Sequence, residues 1–120
     1  MFYTVEIGRK NGEVYAQVVT PDRVRPLPNF KKHSPTGFEY GYCGSGPAEL
    51  AYTICLFMNK PELYQQFKSA VIAGFKGDGP FVMTFPELQT ILARLERGID
   101  DKDRLFKDID GNEMNFSKKP

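Results

Sequence analysis

The amino-acid sequence predicts a small α+β domain in which an antiparallel sheet packs against three short helices. Two observations lead to this prediction. The N-terminal segment alternates apolar and polar residues on both sides of an Asn-Gly pair, and three later segments repeat apolar residues at helical spacing. A chain of 120 residues suits one hydrophobic core. We expect residues 1–98 to form this domain and residues 99–120 to form a charged C-terminal extension.

The sheet is expected to begin with an N-terminal hairpin. Residues 2–8 and 13–20 alternate as strands do, and Asn11-Gly12 lies between them. Because Asn and Gly both tolerate a positive φ, this pair is typical of a tight hairpin turn.

One or two further strands are expected beyond the hairpin. Residues 24–27 favour a short edge strand within a proline-rich connection. Residues 37–42 favour a third strand that places Phe38, Tyr40 and Tyr42 on one face. A short extended segment is also expected at residues 81–85.

Three helices are predicted after residue 43. The first follows the sequence Gly-Ser-Gly-Pro, with Pro47 as its first residue, Gly46 or Ser45 as its N-cap, and Glu49 complementing the helix dipole. The second is predicted over residues 60–75. The third opens at Thr84-Phe-Pro-Glu, which has the spacing of a capping box.

The charge and the hydropathy of the chain indicate which classes of partner are not expected. The net charge of +1, from 16 basic and 15 acidic residues, does not favour a nucleic-acid partner. The longest apolar run, residues 51–58, is too short to span a bilayer, so no membrane partner is expected. Two cysteines and no leader-like N-terminus favour the cytoplasm. The many Phe and Tyr residues are compatible with a homodimer.

The glycine-rich turn before the first predicted helix is the candidate ligand site. Backbone N–H groups at the positive end of a helix dipole suit a phosphate or a carboxylate. Gly44 and Gly46 would let a ligand approach the backbone, and Ser45 would add a hydroxyl group. The alternative is that these residues only form the turn and cap the helix. The other candidate ligand-binding residues are Arg23, Arg25, Lys31, Lys32 and Tyr42.

Other chemistry has weaker support in the sequence. Cys43 and His33 have the residue types of a cysteine hydrolase, but we interpret them as an exposed His and a small buried thiol. No metal or other cofactor is predicted. Residues 108–112 imitate part of a calcium loop, but Ser117 stands where the loop requires Glu.

Residues 34–51 resemble the signature of a family of small microbial and phage-associated proteins without an assigned activity. That signature reads Ser-Pro-Thr-Gly-Phe-x-Trp-Gly-Tyr-x-Gly-Ser-Gly-Pro-x-x-Leu-Ala. Here Tyr40 stands where Trp is common, and Cys43 stands where Gly is common. The resemblance covers residues of about 33 to 95. It implies a fold rather than an activity, and a setting in phage–host conflict.

The function expected from the sequence is a non-enzymatic binding protein. Its expected ligand is an anionic small molecule, such as a nucleotide, at the Gly-Ser-Gly-Pro turn. The alternative is an interaction or inhibitor module acting on a larger protein, which the 10 Phe, the 6 Tyr and the C-terminal tail favour. A third hypothesis is a cysteine-dependent hydrolase.

Overall fold

A computed structural model of the protein describes residues 3–98. It contains one four-stranded antiparallel sheet with the strand order β3-β2-β1-β4. The strands are β1 (Thr4–Lys10), β2 (Glu13–Val19), β3 (Val24–Pro26) and β4 (Phe81–Thr84). The predicted hairpin, the short edge strand and the later extended segment are thereby confirmed.

The hairpin forms for the reason that the sequence suggested. Asn11 has a φ of 54° and Gly12 a φ of 83°, so the turn places both residues in the left-handed region. The register runs from Thr4 opposite Val19 to Lys10 opposite Glu13.

Strands β1, β2 and β4 alternate buried and more exposed side chains, as expected for strands that cover a core on one face. The buried residues are Val5, Ile7, Ala16, Val18, Phe81 and Met83. These side chains join a single core cluster with residues of all three helices, so the helices cover this face of the sheet. Two core rings, those of Phe75 and Phe81, stack with centroids 4.3 Å apart.

The three helices are α1 (Ser45–Phe57), α2 (Tyr64–Ala70) and α3 (Phe85–Glu96). The capping box predicted for α3 is present in full, with Thr84 and Glu87 each accepting a hydrogen bond from the other's backbone N–H. The predicted α+β fold with three helices is therefore confirmed.

The second helix is shorter than predicted. Two short 3₁₀ segments, Pro61–Leu63 and Ile72–Gly74, flank α2 in place of one helix over residues 60–75. The α-helix ends at Ala70 because Val71, with a φ of −125°, leaves the helical region. Beyond this break, the Ile72 carbonyl accepts a hydrogen bond from Gly41 N–H at 3.0 Å.

The strand predicted at residues 37–42 is wrong, since this segment is a loop. Gly37 has a φ of 107° and Gly41 a φ of 92°, and such left-handed residues interrupt the alternation of a strand. The three aromatic side chains therefore do not share a face. Phe38 and Tyr40 pack on the core, whereas Tyr42 is 52% exposed.

Residues 99–120 lie outside the described residues, and so do the predicted C-terminal extension and the calcium-like segment 108–112. No helix within residues 3–98 combines the length and the apolar character needed to cross a membrane.

Candidate functional site

The glycine-rich turn leads directly into α1. Gly44 is the N-cap, and the first helical hydrogen bond runs from Ala48 N–H to the Gly44 carbonyl at 3.0 Å. Pro47 is therefore the third helical residue rather than the first, and the predicted N-cap at Ser45 or Gly46 is wrong. Pro47 has no N–H group, but at the third helical position this costs no hydrogen bond, because the first four N–H groups of a helix have no partner within it.

Both glycines of this turn lie against protein atoms. A Cβ on Gly46 would come within 2.8 Å of the Glu39 Cβ, and a Cβ on Gly44 within 2.5 Å of the Tyr42 ring. Close packing accounts for the missing side chains without any ligand. Ser45 is exposed, and no side chain caps the helix.

An ion pair holds Glu39 in place beside the start of α1. The Arg9 guanidinium donates to Glu39 Oε1 at 2.8 Å and to Oε2 at 3.2 Å, and it also lies 5.0 Å above the Tyr40 ring. These hydrogen bonds lower the pKa of the Glu39 carboxyl and raise the pKa of Arg9. The start of α1 is therefore packed against an acidic residue, Glu39, whose charge is paired with that of Arg9.

Lys32 lies against the middle of α1, where it contacts an aromatic cluster. Its Nζ lies 5.0 Å from the Tyr52 ring centre and donates to the Tyr52 hydroxyl at 3.4 Å. The His33 ring packs against two tyrosines, with centroids 4.9 Å from Tyr52 and 4.6 Å from Tyr64. Lys31 is exposed on the same loop, and its N–H donates to Asn29 Oδ1.

Two buried polar residues of α1 tie this loop to the helix. Glu49 is fully buried, and its Oε1 accepts hydrogen bonds from the N–H groups of His33 and Ser34. One turn later, Thr53 donates to the Pro28 carbonyl at 2.7 Å. Glu49 therefore lies beyond the first turn of α1 and accepts hydrogen bonds from the loop. The prediction that it complements the helix dipole from the first turn is wrong. Among residues 3–98, two buried atoms here have no hydrogen-bond partner, Glu49 Oε2 and His33 Nε2.

Arg23 and Arg25 line a groove of about 850 Å³ between β3 and the C-terminal end of α1. Its apolar walls include Tyr3, Val18, Leu27 and Phe57. Arg25 lies opposite Val18 in the sheet, and paired residues of antiparallel strands point to the same face, so its side chain projects toward the helices. No side-chain hydrogen bond or ion pair engages either guanidinium within the described part of the chain.

The structure therefore separates the predicted site residues into three places. Gly44, Ser45, Gly46 and Tyr42 lie at the start of α1, the two lysines lie on the loop beside its middle, and the two arginines lie at its far end. A helix of 13 residues is about 20 Å long, so the arginines do not line the glycine turn. Sequence reasoning missed the groove and Glu49; a buried carboxylate has no signal of its own in the sequence, apart from its position among apolar residues.

The two cysteines have different environments. Cys43 is exposed, so the expectation that it is a small buried thiol is wrong. Cys55 is buried, and burial raises the pKa of its thiol. No hydrogen bond joins Cys43 to His33 within residues 3–98. The same residues contain no group of three or more His, Cys, Asp and Glu side chains placed to hold a metal ion.

Comparisons with known proteins place the chain in a family. The search of curated proteins and the search of solved structures gave no match. A family of unknown function, DUF6166, matches residues 7–94, which extend from within β1 to within α3. The match begins well before residue 33, so the hairpin belongs to the family's shared region. The chain is therefore a member of DUF6166, a family of unknown function.

Proposed function

We propose that the protein is a non-enzymatic binding protein, and that its groove between β3 and the end of α1 takes an anionic ligand with an apolar body. The observation that carries this proposal is the placement of two guanidinium groups without side-chain partners beside an apolar wall. The volume of about 850 Å³ lies within the range typical of sites for small organic ligands.

Charge and apolar surface act together in this groove. A guanidinium presents several N–H donors in one plane, which suits carboxylate, sulfonate and phosphate oxygens. The Tyr3 and Phe57 rings pack edge to face with centroids 5.2 Å apart, and they give the opposite wall a fixed aromatic surface. Asp22 also borders the groove, so the three charged residues leave a net charge of one positive unit for the ligand.

The proposed ligand is anionic, as the sequence suggested, but its proposed site is the groove and not the glycine turn. The glycine turn has its two glycines packed against protein, and its nearest ion pair is already complete. A nucleotide as ligand, a cytoplasmic location and the phage–host setting stay predictions from the sequence.

Binding to a larger protein would use the same surface. A large apolar side chain is exposed in the groove wall, since Phe57 at the end of α1 is 40% exposed. An acidic segment of a partner protein is one form of the anionic ligand.

Two fluorescent probes of similar shape test the proposal. Anilinonaphthalene sulfonate carries a negative charge, whereas N-phenylnaphthylamine is neutral. We expect the double variant Arg23→Gln/Arg25→Gln to bind the sulfonate about tenfold more weakly, because hydrogen bonds to charged groups are lost. The neutral probe should bind both proteins equally.

The control variant is Lys10→Gln, which removes an exposed cation at the hairpin end without touching the groove. It should bind the sulfonate like the wild type. Equal weakening in the control and the double variant would mean that overall charge, and not the groove, determines binding. A wild-type protein that binds neither probe would contradict the proposal.

A further inference from the structure

The outer edge of β3 offers backbone groups beside the groove. All three of its residues are exposed, and β3 is the last strand on its side of the sheet. Hydrogen bonds join Thr20 to Arg23 and Leu27 to Ala16 across the β2–β3 pair. Because bonded pairs alternate along an antiparallel ladder, Arg25 points its backbone groups toward β2. Val24 N–H, Val24 C=O and Pro26 C=O therefore face outward.

We propose that the ligand of the groove is an acidic segment of another protein, bound in extended conformation as an added antiparallel strand on β3. This inference rests on the proposed function, because the same two arginines supply the charge. It adds the class of ligand and the backbone contacts that hold it.

The geometry of the edge specifies the pattern of the segment. A residue opposite Val24 would exchange two backbone hydrogen bonds with it and place its side chain beside Val24, on the face away from the helices. The residues before and after it would lie opposite Arg25 and Arg23 and point to the groove side. The pattern that fits is acidic, apolar, acidic, with a β-branched residue in the middle.

The short edge explains why charge is needed. Pro26 has no N–H, so the edge offers only three outward backbone groups, and proline commonly limits pairing at a sheet edge. Three hydrogen bonds between backbones give modest net binding in water. Ion pairs with Arg23 and Arg25 would supply additional affinity and set the register.

A second copy of this chain fits the same edge poorly. If two β3 strands paired antiparallel about Val24, Arg23 of each copy would lie opposite Arg25 of the other. Like charges directly opposite one another destabilise a strand pair. The charge of this edge thus selects an acidic partner over self-association.

The test uses the peptide acetyl-Thr-Glu-Val-Glu-Thr-amide and two N-methylated forms of it. Methylation of the central valine nitrogen removes the donor to Val24 C=O, whereas methylation of the following glutamate nitrogen removes a donor that points away from β3. We expect the first form to bind at least about tenfold more weakly than the second, measured by calorimetry. We also expect the unmodified peptide to slow hydrogen exchange at the Val24 amide by about tenfold.

A pair of protein variants tests the backbone hydrogen bonds between Val24 and the peptide by changing the protein instead of the peptide. Val24→Pro removes the outward N–H and leaves the groove side chains unchanged, while Val24→Thr keeps the N–H as the matched control. Peptide binding should fall at least about tenfold in Val24→Pro and less than about threefold in Val24→Thr. A thermal melt of each variant shows that the sheet is intact.

The outcomes separate this inference from the proposed function. A peptide that binds through Arg23 and Arg25, with equal affinity in both methylated forms and no protection of Val24, would overturn strand addition and leave the groove as an anion site. A sulfonate probe that binds while the peptide does not would also overturn it. If neither binds, the proposed function fails as well.

Discussion

Arg9 and Glu39 form a two-pronged ion pair with N–O distances of 2.8 Å and 3.2 Å, which joins β1 to the loop that precedes α1. The Glu39 Cβ also packs against Gly46 at the start of that helix. The glycine-rich segment 44–46 is thus one side of a packed junction between the sheet, the loop and α1.

Gly46→Ala should destabilise the protein by about 1–3 kcal/mol, because the new methyl group meets the Glu39 Cβ and not a side-chain tip that can move away. Gly44→Ala is the matched control. It should cost less, since the Tyr42 ring that it meets is exposed and free to turn. Urea unfolding of both variants measures the difference. Equal costs, or a larger cost at Gly44, would contradict the packing role of Gly46.

The Arg9–Glu39 pair should contribute to acid stability. The folded-state pKa of Glu39 lies below its usual value of 4.5 because Arg9 donates hydrogen bonds to the carboxylate. The unfolded state therefore takes up the proton first, and the contribution is present above that value and is lost as the pH falls through the folded-state pKa. In Arg9→Gln, the free energy of unfolding should fall less steeply with pH over about pH 5 to 3. Parallel curves for the wild type and the variant would contradict this assignment.

Glu49 should matter through its acceptor oxygen rather than its charge. Glu49→Ala removes the acceptor for two N–H groups, one of them buried, and should cost about 2–4 kcal/mol. Glu49→Gln keeps an acceptor oxygen and should cost less. Denaturant unfolding of both variants checks the order. If Glu49→Gln is as unstable as Glu49→Ala, the carboxylate charge itself holds the loop.

The two thiols should react differently. A disulfide reagent at neutral pH should modify Cys43 within the folded protein, since that side chain is exposed. Cys55 is buried with a raised pKa and should react only after denaturant is added. Absorbance at each stage counts the modified thiols. A Cys43 that reacts far faster than a small free thiol would revive the cysteine-hydrolase hypothesis.

Local chemistry made part of the fold predictable. The Asn11-Gly12 turn and the Thr84–Glu87 capping box are short-range signals, and each forms as its residues dictate. The strand predicted at residues 37–42 failed, because two glycines in the left-handed region interrupt an otherwise alternating pattern. Whether a glycine takes that conformation depends on tertiary contacts, such as the hydrogen bond from Gly41 to Ile72.

The candidate site was harder to predict than the fold. The charge of Arg23 and Arg25 identified them as candidate residues for binding an anion, and they line the proposed groove. Their apolar partner Phe57 lies far along the chain, and only the packing of α1 against the sheet brings it near. No pattern within the loop indicates that contact. These arginines were expected near the glycine turn because the two segments are close in the sequence. In the structure, the length of α1 separates them.

A titration followed by NMR can locate the anion site on the protein. Anilinonaphthalene sulfonate is added to ¹⁵N-labelled protein, and shifts of the backbone amide signals are followed. If the ligand binds in the groove, the largest shifts should fall on the groove residues Thr20, Arg25, Leu27 and Phe57, with little change at Gly44, Ser45 and Gly46. Shifts concentrated at residues 44–46, with the groove unaffected, would contradict binding in the groove and return the anion site to the start of α1.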